Sequence, residues 1–313
     1  MAEPDEFDLI ERYFAPLATA DGAYGLRDDA AVLSPPAGMD LVLTTDALIE
    51  DVHYLSGTAP ENVAAKLFAV NLSDLAAKGA APTACLLTFG PSRQMHENWI
   101  AAFAEETGKQ LAAHNIMLLG GDTVAAPAHG FFSLTLIGTV PQGEMVRRGG
   151  AQSGDDIYVS GTVGQGFIGL QHARAGEVSA FRGVFERPQP PVAFGIAARP
   201  YLTAAADISD GLAADLEHIC KASGLGMEIN LSAVPLADPH WPVPDELLTG
   251  GDDYQMIFTA NPADREKLQK LAADCETRLT RIGVTVAGHN VQFLDAAGAV
   301  HELTVAGYRH FSK

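Results

Sequence analysis

Residues 66–82 read KLFAVNLSDLAAKGAAP. Together with the preceding PENVAA the run from Pro60 to Lys78 is rich in Ala and Leu, and this pattern predicts a single helix. Gly79 follows its last periodic residue and Pro82 lies just beyond, which are stop signals for a helix. Asn71 and Asp74 are three residues apart, so a helix places them on one face. An exposed i,i+4 pair with Lys78 would account for Asp74 alone. Asn71 and Ser73 beside it, inside an otherwise apolar helix, point instead to a buried polar role.

Upstream, Leu41–Thr45 in LVLTTDALIEDVHY has the character of a strand, and Asp46 stands where the next core residue would fall. Either Asp46 begins a turn, or the strand ends there to present a carboxylate. A second strand is expected at Ala30–Leu33, across the turn SPPAGMD. Phe7, Ile10 and Phe14 give the acidic opening segment helical spacing. Downstream, strands are expected at Ala84–Phe89, Ile116–Leu119 and Phe131–Val140, and a helix at Glu97–His114. The stretch RRGGAQSGDD, residues 147–156, concentrates Gly, Ser and charge and marks a domain boundary. Beyond it come the strand IYVSG, a helix at Gly166–Ala175, a loop carrying RPQPP, a helix at Leu212–Ser223, and strands at Met227–Leu231 and Gln255–Thr259. The class is α/β or α+β in two domains, expected at residues 1–148 and 149–313.

The chain has 313 residues and is 47% hydrophobic, which suits globular domains with their own cores. Its formal charge of −19, from 39 acidic and 20 basic residues, argues against binding nucleic acid or an anionic membrane through a broad basic surface. Phosphate substrates remain compatible with this charge, because carboxylates hold them through divalent cations. Cys85, Cys220 and Cys275 have no paired spacing, so neither a disulfide framework nor a zinc signature follows. The opening MAEPDEFDLIERYF lacks the basic and apolar regions of a signal peptide, and no apolar run is long enough to span a bilayer. The expectation is a cytoplasmic protein.

Aspartates recur beside short apolar segments. Asp28 and Asp29 open DDAAVL, Asp46 follows LVLTT, Asp122 follows IMLLGG, Asp207 and Asp210 lie in AAADISD, and Asp252 and Asp253 follow LLTGG. One such residue is a turn. Five sites in one chain point to a polynuclear metal–phosphate centre, because ionised carboxylates near apolar strands are costly unless paired or metal-bound. Magnesium suits them, since it takes carboxylate oxygens while keeping water and phosphate in its other positions. Thr44 and Thr45 offer further hydroxyl or carbonyl oxygens, and Gly120–Gly121 and Gly250–Gly251 would let backbone N–H groups approach a phosphate. There is no G-x-x-x-x-G-K-[ST], G-x-S-x-G or H-E-x-x-H. The glycines of SGTVGQG are weak evidence by themselves.

RDDAAVL, TTDALIEDVHY, KLFAVNLSDLAAKGAAP, LLGGDT, VRRGGAQSGDDIYVSG, DISDGLAADLEHI and TGGDDYQMIF occur in an order that resembles the thiamine-monophosphate kinase family. The resemblance extends from EFDLIERYF to GYRHF, and the wider superfamily includes aminoimidazole ribonucleotide synthetase and selenophosphate synthetase. It implies a two-domain fold: an N-terminal mixed sheet with helices that dimerises, and a C-terminal α/β domain that completes the substrate site. It implies transfer of the γ-phosphoryl group of ATP to thiamine monophosphate, with several Mg²⁺ ions, in a homodimer. Metal positions of the family fall on Asp29, Thr44, Thr45, Asp46, Asp74, Asp122, Asp207 and Asp210. Nucleotide-contacting positions fall on Gly121, Asp122, Arg148 and Ser209, and substrate-contacting ones on His53, Asp252 and Tyr308. Asp252 departs from the family pattern, which commonly has Glu there, and Arg27 stands where Gly is usual. The acceptor is a phosphate oxygen already anionic near neutral pH, so no catalytic general base is expected.

Overall fold

The structure is a computed structural model that describes residues 6–303, so Tyr308 lies outside the described residues. It divides into two units: Met1–Leu72 with Ala81–Gly143, and Ser73–Ala80 with Glu144–Lys313. The dividing line runs through the helix that holds the NLSD motif.

The first unit opens with α1 (Glu6–Leu9) and continues in helical turns to Leu17. Its four-stranded sheet has the order β1 (Met39–Ile49), β4 (Phe131–Pro141), β2 (Ala81–Gly90), β3 (Met117–Thr123). β4 runs antiparallel to β1 and β2, whereas β2 and β3 are parallel. The helices α2 (Pro60–Lys78) and α3 (Glu97–His114) have the bounds that the periodicity predicts. On one face of the sheet Phe132 stacks with Phe103 and Trp99 of α3, and Phe89 packs tilted against Phe103 and Phe132. On the other, Ala84, Leu119 and Ile137 are covered by the chain from Ala18 to Leu33.

Two expectations need correction. Ala30–Leu33 is not a strand: Ala31 and Leu33 lie on the sheet face without joining a ladder, Val32 is exposed, and its N–H bonds to Gly22 O. β1 does not stop at Asp46 either. It continues to Ile49, with Asp46 in register with Leu134. The Asp46 N–H is met by the Asn71 side-chain carbonyl of α2 at 3.1 Å, which ties the strand to the helix at this residue.

The second unit holds a seven-stranded sheet in the order β11 (Val300–His301), β10 (Val291–Leu294), β7 (Gly226–Asn230), β9 (Leu279–Val286), β5 (Asp156–Ser160), β8 (Met256–Ala260), β6 (Leu202–Asp207). The alternation of its strands sorts the core into two layers. Ile157, Val159, Ala204, Ala206 and Ile257 face α7 (Leu212–Ser223), while Tyr158, Ala205 and Phe258 face α6 (Val192–Ala198) and α9 (Arg265–Asp274). The remaining helices are α4 (Gln165–Arg174), α5 (Ala180–Glu186) and α8 (Pro244–Thr249). No helix among the described residues is long and apolar enough to cross a membrane.

Candidate active site

In the second unit the acidic residues gather where β6 runs out and α7 begins. Asp207 closes β6 and is buried, accepting the hydroxyl of Ser73 at 3.0 Å. Two residues later the main-chain N–H groups of Ser209 and Asp210 both donate to Oδ2 of Asp215, each at 3.1 Å. Burial, followed by the charges of Asp207 and Asp210, pushes the Asp215 carboxyl up to about 8. Donor atoms of Asp210, Asp215 and His218 lie within 4.8 Å of one another.

The nearby positive charges are few. Lys78 donates to Ala205 O at 2.9 Å. Burial and then Arg148 push its pKa down, while Asp207 and Asp74 pull it up. Asp74, Arg148, Asp207, Ser209 and Asp210, five residues expected from sequence, therefore share one region. Asp74 and Lys78 are the partly open positions of α2 between Val63 and Ala80, which otherwise lies buried there. Asp215, missed from sequence, had a visible signal: an acidic residue in the first turn of the helix that follows DISDG.

The GGDDY segment packs directly on this region. A Cβ on Gly251 would sit 2.0 Å from Ser209 O, so glycine here serves close backbone packing rather than a phosphate cradle. Asp252 N–H bonds to Ser209 O at 3.0 Å and Tyr254 N–H to Ile208 O at 2.8 Å. Asp252 has φ 67°, and its Oδ1 accepts the Tyr254 hydroxyl at 2.9 Å. Asp253 turns the other way. Its two oxygens accept Gly164 N–H at 2.7 Å and Gly166 N–H at 3.0 Å. The SGTVGQG loop at the start of α4 thus has its amides filled by the protein's own carboxylate. Asp253 is a structural cap and not part of a metal cluster. Burial pushes it up to about 7 against the pull of those amides.

In the first unit a cavity of about 630 Å³ is lined by Asp28, Asp29, Thr88, Gly121, Asp122 and Thr135 among others. Asp29, Gly121 and Asp122 thus line one cavity. The absent Cβ of Gly121 again reflects close packing, since it would lie 1.8 Å from Leu87 O. Thr44, Thr45 and Asp46 do not act as one set of side chains. Strand alternation puts Thr44 and Asp46 on the face of buried Val42 and Leu48, and Thr45 on the face of exposed Leu43, bonded to Thr135. His53 closes the turn after β1: its Nδ1 accepts Ile49 N–H at 3.0 Å. That bond puts the proton of the neutral ring on Nε2, leaving an N–H donor there. The buried Lys66 ammonium holds the His53 carbonyl at 2.9 Å.

These donor sets are almost entirely carboxylate and hydroxyl oxygen, the chemistry of a hard divalent cation such as Mg²⁺. The sequence matches the families described as AIR synthase related protein, N-terminal domain, over residues 27–140, and AIR synthase related protein, C-terminal domain, over residues 152–295. It is 39% identical over 305 residues to the thiamine-monophosphate kinase of Caulobacter vibrioides, covering 93% of this chain and 86% of that one. The chain belongs to the thiamine-monophosphate kinase family. The crystal structure of thiamine-monophosphate kinase from Stenotrophomonas maltophilia is 37% identical, with TM-score 0.83 over 92% of this chain and 96% of that one. AaThiL complexed with AMPPCP and TMP is 27% identical, with TM-score 0.77 over 98% of this chain and 97% of that one. Asp252, the position expected to depart from the family pattern, has its carboxylate committed to Tyr254 through one oxygen.

Proposed function

We propose that the chain transfers the γ-phosphoryl group of ATP to the phosphate of thiamine monophosphate, yielding thiamine diphosphate and ADP. The observation that carries this reading is the full-length likeness to a family member bound to an ATP analogue and TMP at once. The residues suit such a reaction. Its acceptor is an anionic phosphate oxygen, which needs little deprotonation, and the obstacle is repulsion between two polyanions. Asp29, Asp46, Asp74, Asp122, Asp207 and Asp210 would hold Mg²⁺, with Thr44 and Thr45 adding hydroxyl or carbonyl oxygen. When bound, Mg²⁺ neutralises phosphate charge and aligns attacking and leaving oxygens.

The other residues bind and orient. The Arg148 guanidinium offers a planar fork to a nucleotide phosphate. Gly121, Asp122 and Ser209 contact the nucleotide. His53, Asp252 and Tyr308 contact the acceptor, His53 with its ring held at Nδ1 by the Ile49 N–H. A homodimer in the cytoplasm completes the reading. Leu43, Leu86 and Met117 stand 64%, 39% and 36% exposed on the part of the Ala84 and Ile137 face that the chain from Ala18 to Leu33 leaves open, apolar surface suited to a second copy. Incubating the protein with ATP, Mg²⁺ and thiamine monophosphate and resolving the products tests the activity. Absence of thiamine diphosphate would overturn it.

A further inference from the structure

We propose that Asp215 is the positioning residue of the metal- and nucleotide-binding loop, holding the main chain of Ser209 and Asp210 in place without ligating the cation itself. The inference rests on the assignment of Ser209 and Asp210 above. Asp215 is 2% exposed, and a single oxygen, Oδ2, accepts the N–H groups of both Ser209 and Asp210 at 3.1 Å. Its helix α7 is seated in the core through Leu212, Leu216 and Ile219, so the anchor is rigid while the loop it holds lies between elements. Hydrogen bonds to a loop's own amides set the direction of the side chains that loop carries. Partners of this kind typically change metal affinity 10–100-fold when lost.

Positioning and ligation make opposite demands on the side chain. Positioning needs one acceptor oxygen at the existing reach, which Asn supplies and the longer Glu misplaces. Ligation needs a charged carboxylate, which Glu supplies and Asn does not. The test titrates Mg²⁺ into the full chain carrying Asp215→Asn or Asp215→Glu and follows the heat of binding, a readout independent of turnover. The Michaelis constant for ATP is measured in parallel. The expected result is Mg²⁺ affinity within about threefold of wild type for Asp215→Asn and about 10–100-fold weaker for Asp215→Glu. The reverse order would make Asp215 a ligand and overturn the proposal. Unchanged affinity in both, with only a lower melting temperature, would reduce Asp215 to a structural residue and overturn it too. If Asp215→Glu does not fold, Asp215→Ala replaces it with the same expectation. A wild-type protein that binds Mg²⁺ yet makes no thiamine diphosphate would refute the proposed reaction and leave this test standing.

Discussion

The hydroxyl of Ser73 on α2 donates to the buried carboxylate of Asp207 at the end of β6, across 3.0 Å. That bond joins the end of α2 from Ser73 onward to the DISD loop, both within the second unit.

Ser73→Ala strips Asp207 of this donor and leaves a buried carboxylate less well solvated. The expected cost is about 1–3 kcal/mol, seen as a lower melting temperature without Mg²⁺. An unchanged melting temperature would mean that water replaces the hydroxyl fully.

Asp207→Asn acts in the opposite sense on stability. It keeps an oxygen for Ser73 and removes one charge from a group that already raises the Asp215 carboxyl to about 8. The melting temperature of the metal-free protein should hold or rise. Turnover should fall by more than the roughly 10–100-fold that outer-shell changes cost. A folded variant with the wild-type rate would remove Asp207 from the centre.

The pH dependence of stability has a definite sign. Asp215 and Asp253 titrate in the folded protein at about 8 and about 7, above the ordinary carboxylate range. Their protonated forms are favoured by folding. This stability is fully present below the unfolded carboxylate pKa and is lost as pH rises through about 7 to 8. Chemical denaturation of the metal-free protein should therefore give a smaller unfolding free energy at pH 8.5 than at pH 6. Asp253→Asn should lessen the difference, and a profile rising over that interval would contradict the assignment.

Tyr254→Phe tests the acceptor side. The hydroxyl at 2.9 Å from Oδ1 holds Asp252, whose backbone already sits at φ 67°. Without it the apparent Michaelis constant for thiamine monophosphate should rise several-fold while that for ATP stays nearly unchanged. Asp252→Ala should repeat the pattern more strongly. If Asp252→Ala lowers the melting temperature and leaves both constants alone, Asp252 serves only its turn.

The long helices were readable because Pro60–Lys78 and Glu97–His114 carry their own periodicity and stop signals. The carboxylate pattern was readable as well, since charge beside apolar strands is rare without a reason. What escaped was set by tertiary partners. The ladder with β4 carries β1 on through Asp46, whose N–H Asn71 meets, and the sheet face that receives Ala31 and Leu33 removes any need for them to pair. Asp253 resembled its neighbour Asp252 in sequence, yet the Gly164 and Gly166 amides claim it. Asp215 shows in sequence only as an acidic residue in the first turn of α7, because its partners lie five and six residues back, in a loop whose path the pattern does not encode.

The backbone bonds of Asp252 to Ser209 and of Tyr254 to Ile208 knit the loop assigned to nucleotide and the loop assigned to acceptor into one piece of main chain. Ile208 returns a third bond to Gln255 O at 2.8 Å. Neither loop can be re-aimed alone, so on the proposed assignment the two ligands would be thermodynamically linked through a shared scaffold. A nucleotide that steadies Ser209 prepares Asp252 at the same time, and the factor by which it tightens the acceptor must equal the factor by which the acceptor tightens it. For a kinase whose ligands both bring anionic phosphate to one site, such cooperativity would offset the repulsion between those phosphates.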